Sequence, residues 1–164
     1  FYLERIESPL PISPRAKIGE RNELYCTGLG KAILAFLPDH KVEQVIGLGL
    51  VKKTEQTLTD PEMLRAELEV IRKRGFAIDN MENEEYVKCV AAPVFSADAE
   101  VIAAVSVSGA SFRMDDTRLN TELGPKVVAA CQEISRKLGC KNLPIRNLPH
   151  TQAPMSSAKG GATP

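Results

Sequence analysis

Two apolar segments separated by a short polar turn constrain the fold of this chain more than any other feature. Residues 87–95 and 101–109 are rich in valine and alanine, and the turn Ser96-Ala-Asp-Ala99 lies between them. Such segments favour β-strands, and a short connection joins antiparallel neighbours. We therefore expect an antiparallel hairpin, with a further strand over residues 76–81.

Four helical segments are predicted from capping residues and apolar spacing. The first begins at the N-cap Thr27, the second covers residues 39–48, and the third stops at Gly75 after a start signal at residues 59–62. In the longer fourth helix, we expect the pair Gly124-Pro125 to cause a kink or delay the regular start. The residues expected on the buried faces are Leu29, Ile33, Phe36 and Leu37 in the first helix, Leu64, Leu68 and Ile71 in the third, and Leu119, Leu123, Val127, Cys131, Ile134 and Leu138 in the fourth.

Composition limits the domain organisation and the function. A chain of 164 residues with 43% hydrophobic content is long enough for one core, so we expect one domain over residues 1–139. Residues 140–164 are rich in proline, serine, glycine and alanine, which predicts a flexible tail. Lys+Arg and Asp+Glu are both 21, so the chain lacks the basic excess that phosphate contacts require.

Location and cofactor use also follow from composition. No apolar run approaches the roughly 20 residues of a membrane-spanning helix. The four cysteines are scattered without a C-x-x-C pair, so reduced thiols are expected. We predict a cytoplasmic protein without membrane contact, metal or cofactor.

The opening of the chain has its own pattern. Residues 1–7 alternate between apolar and polar side chains, which predicts a strand. Pro9, Pro11 and Pro14 then mark turns. Because no turn or cap precedes the first segment, we expect the sequence to begin inside a longer protein.

Polar residues on one face of the predicted sheet form a candidate site. Ser106 and Ser108 share a face because strand side chains alternate, and the opposite face, with valines at 101, 105 and 107, is interpreted as core. Cys89 lies on the paired strand and Asp79 on the strand before it. If the three strands are adjacent, these side chains converge with the serines. The alternative is a hydroxyl ladder beside an inert buried thiol and an aspartate that is bonded to loop amides.

The turn that begins the first helix is a second candidate feature. Gly28 would let a ligand approach the backbone, and Leu29 and Gly30 would donate N–H groups to a carboxylate. The alternative is that both glycines only allow close packing of the helix on the sheet. Lys31 is expected to face solvent, and residues 82–85 are expected to form a solvated loop.

Several motifs together resemble the IclR family of bacterial transcriptional regulators. They are Thr27-Gly-Leu-Gly-Lys-Ala32, Leu58-Thr-Asp-Pro61, Ile71-Arg-Lys-Arg-Gly-Phe-Ala-Ile-Asp79, Cys89-Val-Ala-Ala-Pro-Val94, Ala104-Val-Ser-Val-Ser-Gly109 and Glu133-Ile-Ser-Arg-Lys-Leu-Gly139. The resemblance covers residues 24–139 and implies an α+β effector-binding domain related to GAF and PAS sensors, with a curved, mainly antiparallel sheet and packed helices. It also implies a winged helix-turn-helix DNA-binding domain ahead of this region, which this sequence does not contain.

The resemblance further implies a pocket for a small effector. Its residues would be Gly28, Leu29, Asp79, Cys89, Ser106 and Ser108, the set also reached from the strand faces. Apolar walls from residues 8–15 are left unassigned. Amides and hydroxyls suit a carboxylate, and an ionised aspartate suits a ligand hydroxyl, so we expect a small hydroxy or keto acid, such as a sugar-derived acid. The family also implies a homodimer or homotetramer that binds DNA only through the N-terminal domain.

Two other functions compete with sensing. The chain could be an oligomerisation module with a vestigial pocket, for which Val42, Val45 and Ile46 would offer an apolar partner surface. It could also be an enzyme with Cys89 or Ser108 as nucleophile. Neither nucleophile has an identifiable histidine base, and there is no G-x-S-x-G motif. We therefore predict that the chain is not an enzyme.

Overall fold

A curved antiparallel sheet with helices packed against it forms the centre of this α+β fold. The computed structural model describes residues 1–7 and 17–145. The sheet order is β1-β2-β3, and all neighbours are antiparallel. The strands are β1 (Ala77–Asn80), β2 (Val87–Phe95) and β3 (Val101–Ala110), and the α-helices are α1 (Gly28–Leu34), α2 (Asp39–Gly47), α3 (Pro61–Arg74) and α4 (Gly124–Lys137). The predicted α+β class and the hairpin are confirmed.

The two faces of β2 are covered by different helices. Ala91 packs with α1 and α3 residues such as Leu34 and Leu68. Val90 faces the opposite way and packs with α4 residues such as Val128. Because successive strand residues point to opposite faces, a strand with helices on both sides is buried almost continuously. This explains why residues 90–95 are all buried.

Strand β3 is less covered than the sequence predicts. Val105 is 38% exposed and Val107 is 40% exposed, so the interpretation of this face as core is wrong for both valines. They pair with Ala92 and Val90 of β2 and therefore lie on the α4 side of the sheet. Helix α4 packs mainly on β2, which leaves the outer part of this face in contact with water.

The predicted helix ends are confirmed by capping contacts. The Thr27 hydroxyl accepts a hydrogen bond from the Gly30 amide at 3.0 Å. Asp60 caps α3 by accepting from the Glu62 amide at 2.7 Å, with Pro61 as the first helical residue. Gly75 ends α3 in the left-handed region with φ of 82°.

The predicted buried face of the first helix is confirmed only in part. Leu29, Phe36 and Leu37 are half-buried and pack against the core, whereas Ile33 is half-buried without belonging to that cluster. Lys31, Ala32 and Leu34 of α1 are fully buried. The helix is short and enclosed on most sides, so its apolar spacing does not show which side meets the sheet. By contrast, Leu64, Leu68 and Ile71 are buried in α3 as predicted.

Helix α2 contributes to the core instead of offering a free apolar surface. Val42 is only 4% exposed, and Val45 and Ile46 pack against the cluster that contains it. These three residues therefore do not form the partner surface that the oligomerisation hypothesis requires. None of the helices in residues 1–7 and 17–145 has the length and apolar character needed to cross a membrane.

The predicted irregularity at the start of the last helix is confirmed. A π-helical segment, Arg118–Leu123, precedes α4, which begins at Gly124. Leu119 is fully buried, but Ile134 and Leu138 are 38% and 49% exposed, so the predicted stripe is wrong at its C-terminal end. Ser135 is buried there instead, and its hydroxyl accepts from the Phe95 amide at 2.9 Å.

The opening segment does not form the predicted strand. Phe1, Leu3 and Ile6 are exposed, and only Tyr2 makes main-chain hydrogen bonds across to residues 19–20. Two such bonds are not enough for a ladder. Residues 8–15, which include the predicted proline turns, lie outside the described residues.

Packing continues beyond Gly139, where we placed the end of the domain. Cys140 and Ile145 are each 3% exposed and pack against Phe95. Ile145 also lies against Gly75, at which an added Cβ would be 2.7 Å from the isoleucine side chain. Residues 140–145 therefore belong to the folded part. The rest of the predicted tail, residues 146–164, lies outside the described residues.

Candidate functional site

Three of the predicted site residues form one row across the sheet. Asp79 of β1 is paired with Cys89 of β2, and Cys89 is paired with Ser108 of β3. Directly paired residues of antiparallel strands lie on the same face with their side chains in contact range. In the next row on this face, Ser106 pairs with Ala91. The structure therefore brings together Asp79, Cys89, Ser106 and Ser108, as the strand pattern predicts.

Gly28 lies directly over this row. A Cβ added to Gly28 would be 3.2 Å from the Cys89 Cβ, 3.5 Å from the Ala91 Cβ and 3.7 Å from the Asp79 Cβ. The absence of a side chain at Gly28 thus lets the start of α1 approach the sheet closely. The Gly30 amide is occupied by Thr27, so the predicted donation from Gly30 to a ligand is wrong. Leu29 follows Gly28 in the first helical turn and is half-buried.

Alanine at position 28 is expected to disturb the site without unfolding the protein. Its methyl group would press on Cys89 and Ala91, so we expect a loss of about 1 kcal/mol in the free energy of unfolding. NMR amide shifts should change at Cys89 and Ser108 and stay constant on the exposed face of α4. Unchanged shifts at Cys89 would contradict the close contact.

Asp79 is buried, and its negative charge is partly offset by a neighbouring amide and a lysine. Its side chain is only 3% exposed, and Oδ1 accepts a hydrogen bond from the Glu82 amide at 2.7 Å. Its pKa is raised from 3.8 to about 7, mainly by burial and also by the charge of Glu82, whereas the hydrogen bond from the Glu82 amide and the charge of Lys31 act in the opposite direction. At neutral pH the carboxyl group is therefore present in both forms, so it can accept from a hydroxyl or donate to an oxygen. The alternative interpretation of Asp79, a hydrogen bond to a loop amide, is therefore also correct. Asp79 makes this bond and lies in the row.

Cys89 is a poor nucleophile in this environment. Burial raises the pKa of its thiol to about 12, and the negative charge of Asp79 acts in the same direction. The thiol therefore remains protonated at neutral pH, whereas nucleophilic cysteines need the thiolate. The Ser108 hydroxyl donates to the Cys89 sulfur at 2.9 Å, which is the strand-to-strand hydroxyl contact stated as an alternative. His40 is exposed on α2.

Lys31 and Glu82 are the main residues that the sequence predicted wrongly. Lys31 is 1% exposed and Glu82 is 5% exposed, although both were expected in solvent. Lys31 Nζ lies 2.5 Å from Glu82 Oε1 and 3.8 Å from Glu67 Oε1. A lysine is buried only when an acidic partner offsets its desolvation, and helical spacing gives no sign of a partner 51 residues away.

Two further residues near the row were not identified from the sequence. Cys26 is fully buried, and burial, followed by the charge of Asp79, raises its pKa to about 12. Tyr2 is half-buried, and its hydroxyl accepts from the Asn22 side chain at 3.3 Å. Burial raises the Tyr2 pKa, with smaller contributions from Cys89, Glu84 and Asp79. No motif marks Tyr2, because only the fold brings it to this side of the sheet.

An open cleft of about 200 Å³ lies at a different place on the surface. It is lined by Thr54, Glu55, Gln56, Met81, Glu85 and Tyr86, and it contains none of the six predicted site residues. We regard the row under Gly28 as the candidate site, because the Asp79 carboxyl group is buried there beside the half-buried Cys89 and Ser108 side chains. Buried polar groups are costly unless they serve a structure or a ligand.

Comparisons with known proteins define the class of the chain. The family model for the C-terminal region of bacterial transcriptional regulators of the IclR type matches residues 1–136. The chain is 40% identical over 144 residues to the HTH-type transcriptional regulator RhmR of Escherichia coli strain K12. The aligned region covers 87% of this chain and 55% of RhmR. The chain thus corresponds to the C-terminal region of the regulators that it matches.

Solved structures agree with this class. The crystal structure of the Thermotoga maritima IclR superimposes with a TM-score of 0.77 and 38% identity, over 82% of this chain and 54% of that one. The inducer-binding domain of the PobR transcription factor from Acinetobacter, solved as a complex with 3-hydroxybenzoic acid, gives a TM-score of 0.69 and 25% identity over 77% of this chain and 73% of that one. The chain belongs to the IclR family. It spans about 55% of the length of RhmR.

Proposed function

We propose that this chain is the effector-binding domain of its regulator and that it binds a small hydroxy or keto acid at the Asp79–Cys89–Ser108 row. The observation that carries this proposal is the direct pairing of these three residues under Gly28. If the row had only a structural role, apolar side chains would fill it equally well, because they need no hydrogen-bond partners.

The chemistry of the row supports an acidic ligand with a second polar group. The Ser106 hydroxyl and the first-turn amides of Gly28 and Leu29 are donors suited to a carboxylate. The Ser108 hydroxyl would join them by rotating its hydrogen away from the Cys89 sulfur. Asp79 can accept from a ligand hydroxyl when it is ionised, and it can donate to a keto oxygen when it is protonated. The PobR domain, a structural neighbour, was solved with a ligand that is both a carboxylic acid and a hydroxy compound.

We further infer that effector binding modulates DNA binding in the whole regulator. DNA would be bound by an N-terminal winged helix-turn-helix domain, and the regulator would be a cytoplasmic homodimer or homotetramer. The effector can shift this equilibrium only as far as its affinities for the two states differ. The protonated thiol of Cys89 supports a sensing role over catalysis.

The effector proposal is tested by calorimetry on a panel of hydroxy, keto, sugar-derived and aromatic acids. At least one hydroxy or keto acid is expected to bind with micromolar to millimolar affinity. Replacing Ser108 by alanine removes one donor and should weaken that binding about tenfold, the value of a typical hydrogen bond. Replacing Asp79 by alanine should also weaken it.

A serine at the other end of the same hairpin provides the control. Ser96 lies in the turn between β2 and β3, where its hydroxyl accepts from the Glu100 amide at 3.3 Å. Ser96→Ala should leave the affinity unchanged. If no hydroxy or keto acid produces heat, or if Ser108→Ala and Asp79→Ala both bind as the wild type does, the proposal is wrong.

The alternative function is an oligomerisation module with a vestigial pocket. One observation favours it, which is the exposure of Ile102, Val105 and Val107 on β3. Sedimentation that gives a stable dimer, combined with an empty calorimetric panel, would support this alternative over effector binding.

A further inference from the structure

We propose that the ion pair between Lys31 and Glu82 is a positioning element of the effector site, which holds the Asp79 carboxyl group in place and sets its charge without contacting the effector. This inference rests on the proposed function. It concerns residues that lie beside the row and not in it. Lys31 and Glu82 are therefore positioning residues, and the groups that would touch the effector stay those of the row.

The pair connects the two elements that meet at the row. Lys31 lies on α1, three residues after Gly28, and Glu82 lies in the connection that follows β1. Their charged atoms are 2.5 Å apart, and both side chains are almost completely buried. The pair therefore links the helix above Cys89 to the loop beside Asp79.

Glu82 acts on Asp79 through its main chain as well. The Glu82 amide donates to Asp79 Oδ1 at 2.7 Å, so the residue that binds Lys31 with its side chain binds Asp79 with its backbone. Two threonine hydroxyls hold the same loop: Thr57 donates to the Glu82 carbonyl and Thr54 to the Met81 carbonyl, each at 2.7 Å. The loop that fixes Asp79 is thus held by three contacts, which are the ion pair and the two threonine hydrogen bonds.

Backbone conformation shows that this loop is under constraint. Met81 and Tyr86 have φ values of 62° and 65°, in the left-handed region that side chains other than glycine rarely adopt. Such residues cost of order 1–3 kcal/mol and persist where the surroundings determine the conformation, often at ligand-binding sites. At Met81 the surroundings are the ion pair made by the next residue and the Thr54 hydroxyl that donates to the Met81 carbonyl.

An unpaired oxygen atom is a second indication that Glu82 has a function. Its Oε2 atom is buried and has no hydrogen-bond partner within residues 1–7 and 17–145. A buried carboxylate with one unpaired oxygen is less favourable than an apolar side chain of similar size. The Lys31 ammonium accounts for the Oε1 atom of this carboxylate, and the unpaired Oε2 atom leaves negative charge that acts electrostatically on Asp79.

The charges that face Asp79 come from several elements. Glu82 raises its pKa and Lys31 lowers it, so the two members of the pair act in opposite directions. The thiols of Cys89 and Cys26 and the phenol of Tyr2 also lie within its field. From α3, Glu67 lies 3.8 Å from the Lys31 ammonium, and Arg74 lies 2.9 Å from the same Glu67 oxygen.

NMR titration of the Asp79 carboxyl carbon tests this inference without any effector. In Glu82→Gln, Asp79 loses a negative neighbour and keeps Lys31, so its pKa should fall by about one pH unit or more. In the double variant Lys31→Met/Glu82→Gln, the cation is also lost, and the pKa should rise again above that of the single variant. Glu82→Gln leaves the Lys31 charge buried without its partner, which can prevent folding, whereas the double variant removes both charges. The test therefore does not depend on the folding of the single variant alone.

The exposed pair Lys137–Glu133 on α4, with a separation of 2.9 Å, provides the matched control. Glu133→Gln should leave the Asp79 titration unchanged. If Glu82 had a purely structural role, the isosteric Glu82→Gln would also leave the Asp79 titration unchanged. An unchanged or increased Asp79 pKa in Glu82→Gln would overturn the inference.

Binding experiments separate this inference from the proposed function. With pyruvate and lactate as the keto and hydroxy acid probes, the pH midpoint of the affinity profile should shift in Glu82→Gln by the same amount as the Asp79 pKa. If wild type and variant bind with the same midpoint, the inference is overturned and the effector site stands. If neither probe binds the wild type while the Asp79 pKa moves as expected, the positioning of Asp79 stands and the choice of effector is wrong.

Discussion

Replacing Asp79 by asparagine is expected to remove most of a stability loss that the wild-type protein shows between about pH 4 and pH 7. Burial raises the pKa of Asp79 from 3.8 to about 7. Between these values the folded protein retains a proton that the unfolded chain has released, so the free energy of unfolding falls as the pH rises. The stabilisation is complete below pH 3.8 and lost above pH 7. It amounts to about 4 kcal/mol at most, because each pH unit corresponds to about 1.4 kcal/mol.

Asparagine is a suitable replacement because its side-chain oxygen can still accept from the Glu82 amide. Urea denaturation at several pH values from 4 to 8 would measure the slope. Burial also raises the pKa of Glu82, so a smaller slope of the same sign should remain in the variant. Asp98→Asn, in the exposed turn between β2 and β3, should keep the wild-type slope. Equal slopes in the wild type and Asp79→Asn would show that Asp79 titrates normally.

Replacing Gly30 by alanine is expected to destabilise the protein by about 3 kcal/mol. The added Cβ would lie 2.5 Å from both the Cα and the carbonyl oxygen of Leu24, and 2.6 Å from the Thr27 hydroxyl. Backbone atoms cannot turn away as a flexible side chain can, so α1 would have to move. The same movement would disturb the N-cap and lift Gly28 from the row.

Gly47 supplies the control for this substitution. It ends α2, and a Cβ added there meets no atom within 4 Å. Gly47→Ala should therefore be neutral or stabilise the protein by up to about 1 kcal/mol, because alanine favours the helix more than glycine does. Thermal and urea unfolding of both variants would measure the difference. Equal stabilities of Gly30→Ala and Gly47→Ala would contradict the close contact with Leu24.

The row of site residues could be predicted because strand geometry is simple. Side chains alternate with a period of two, so Ser106 and Ser108 were placed on one face from the sequence alone. A short turn fixed the hairpin, and Cys89 then had to lie near Ser108. The same period could not show how far α4 extends over β3, so the burial of Val105 and Val107 was predicted wrongly.

The buried charges could not be predicted from the sequence. Lys31 and Glu82 are far apart along the chain. The predicted apolar stripe of the first helix excludes Lys31, and the polar residues 82–85 are typical of a solvated loop. Their burial depends on the fold that brings α1 against the loop after β1. Lysine and glutamate become tolerable there only as a pair, and a pair of this kind is a tertiary feature.

The exposed side chain of Tyr86 gives the protein a natural optical label. The sequence contains three tyrosines and no tryptophan. Tyr25 is 2% exposed and Tyr2 is half-buried, whereas Tyr86 projects into solvent with 72% of its surface accessible, next to the segment that fixes Asp79. Acrylamide therefore quenches mainly one fluorophore, so the emission of the unmodified protein can follow motion of the loop between β1 and β2.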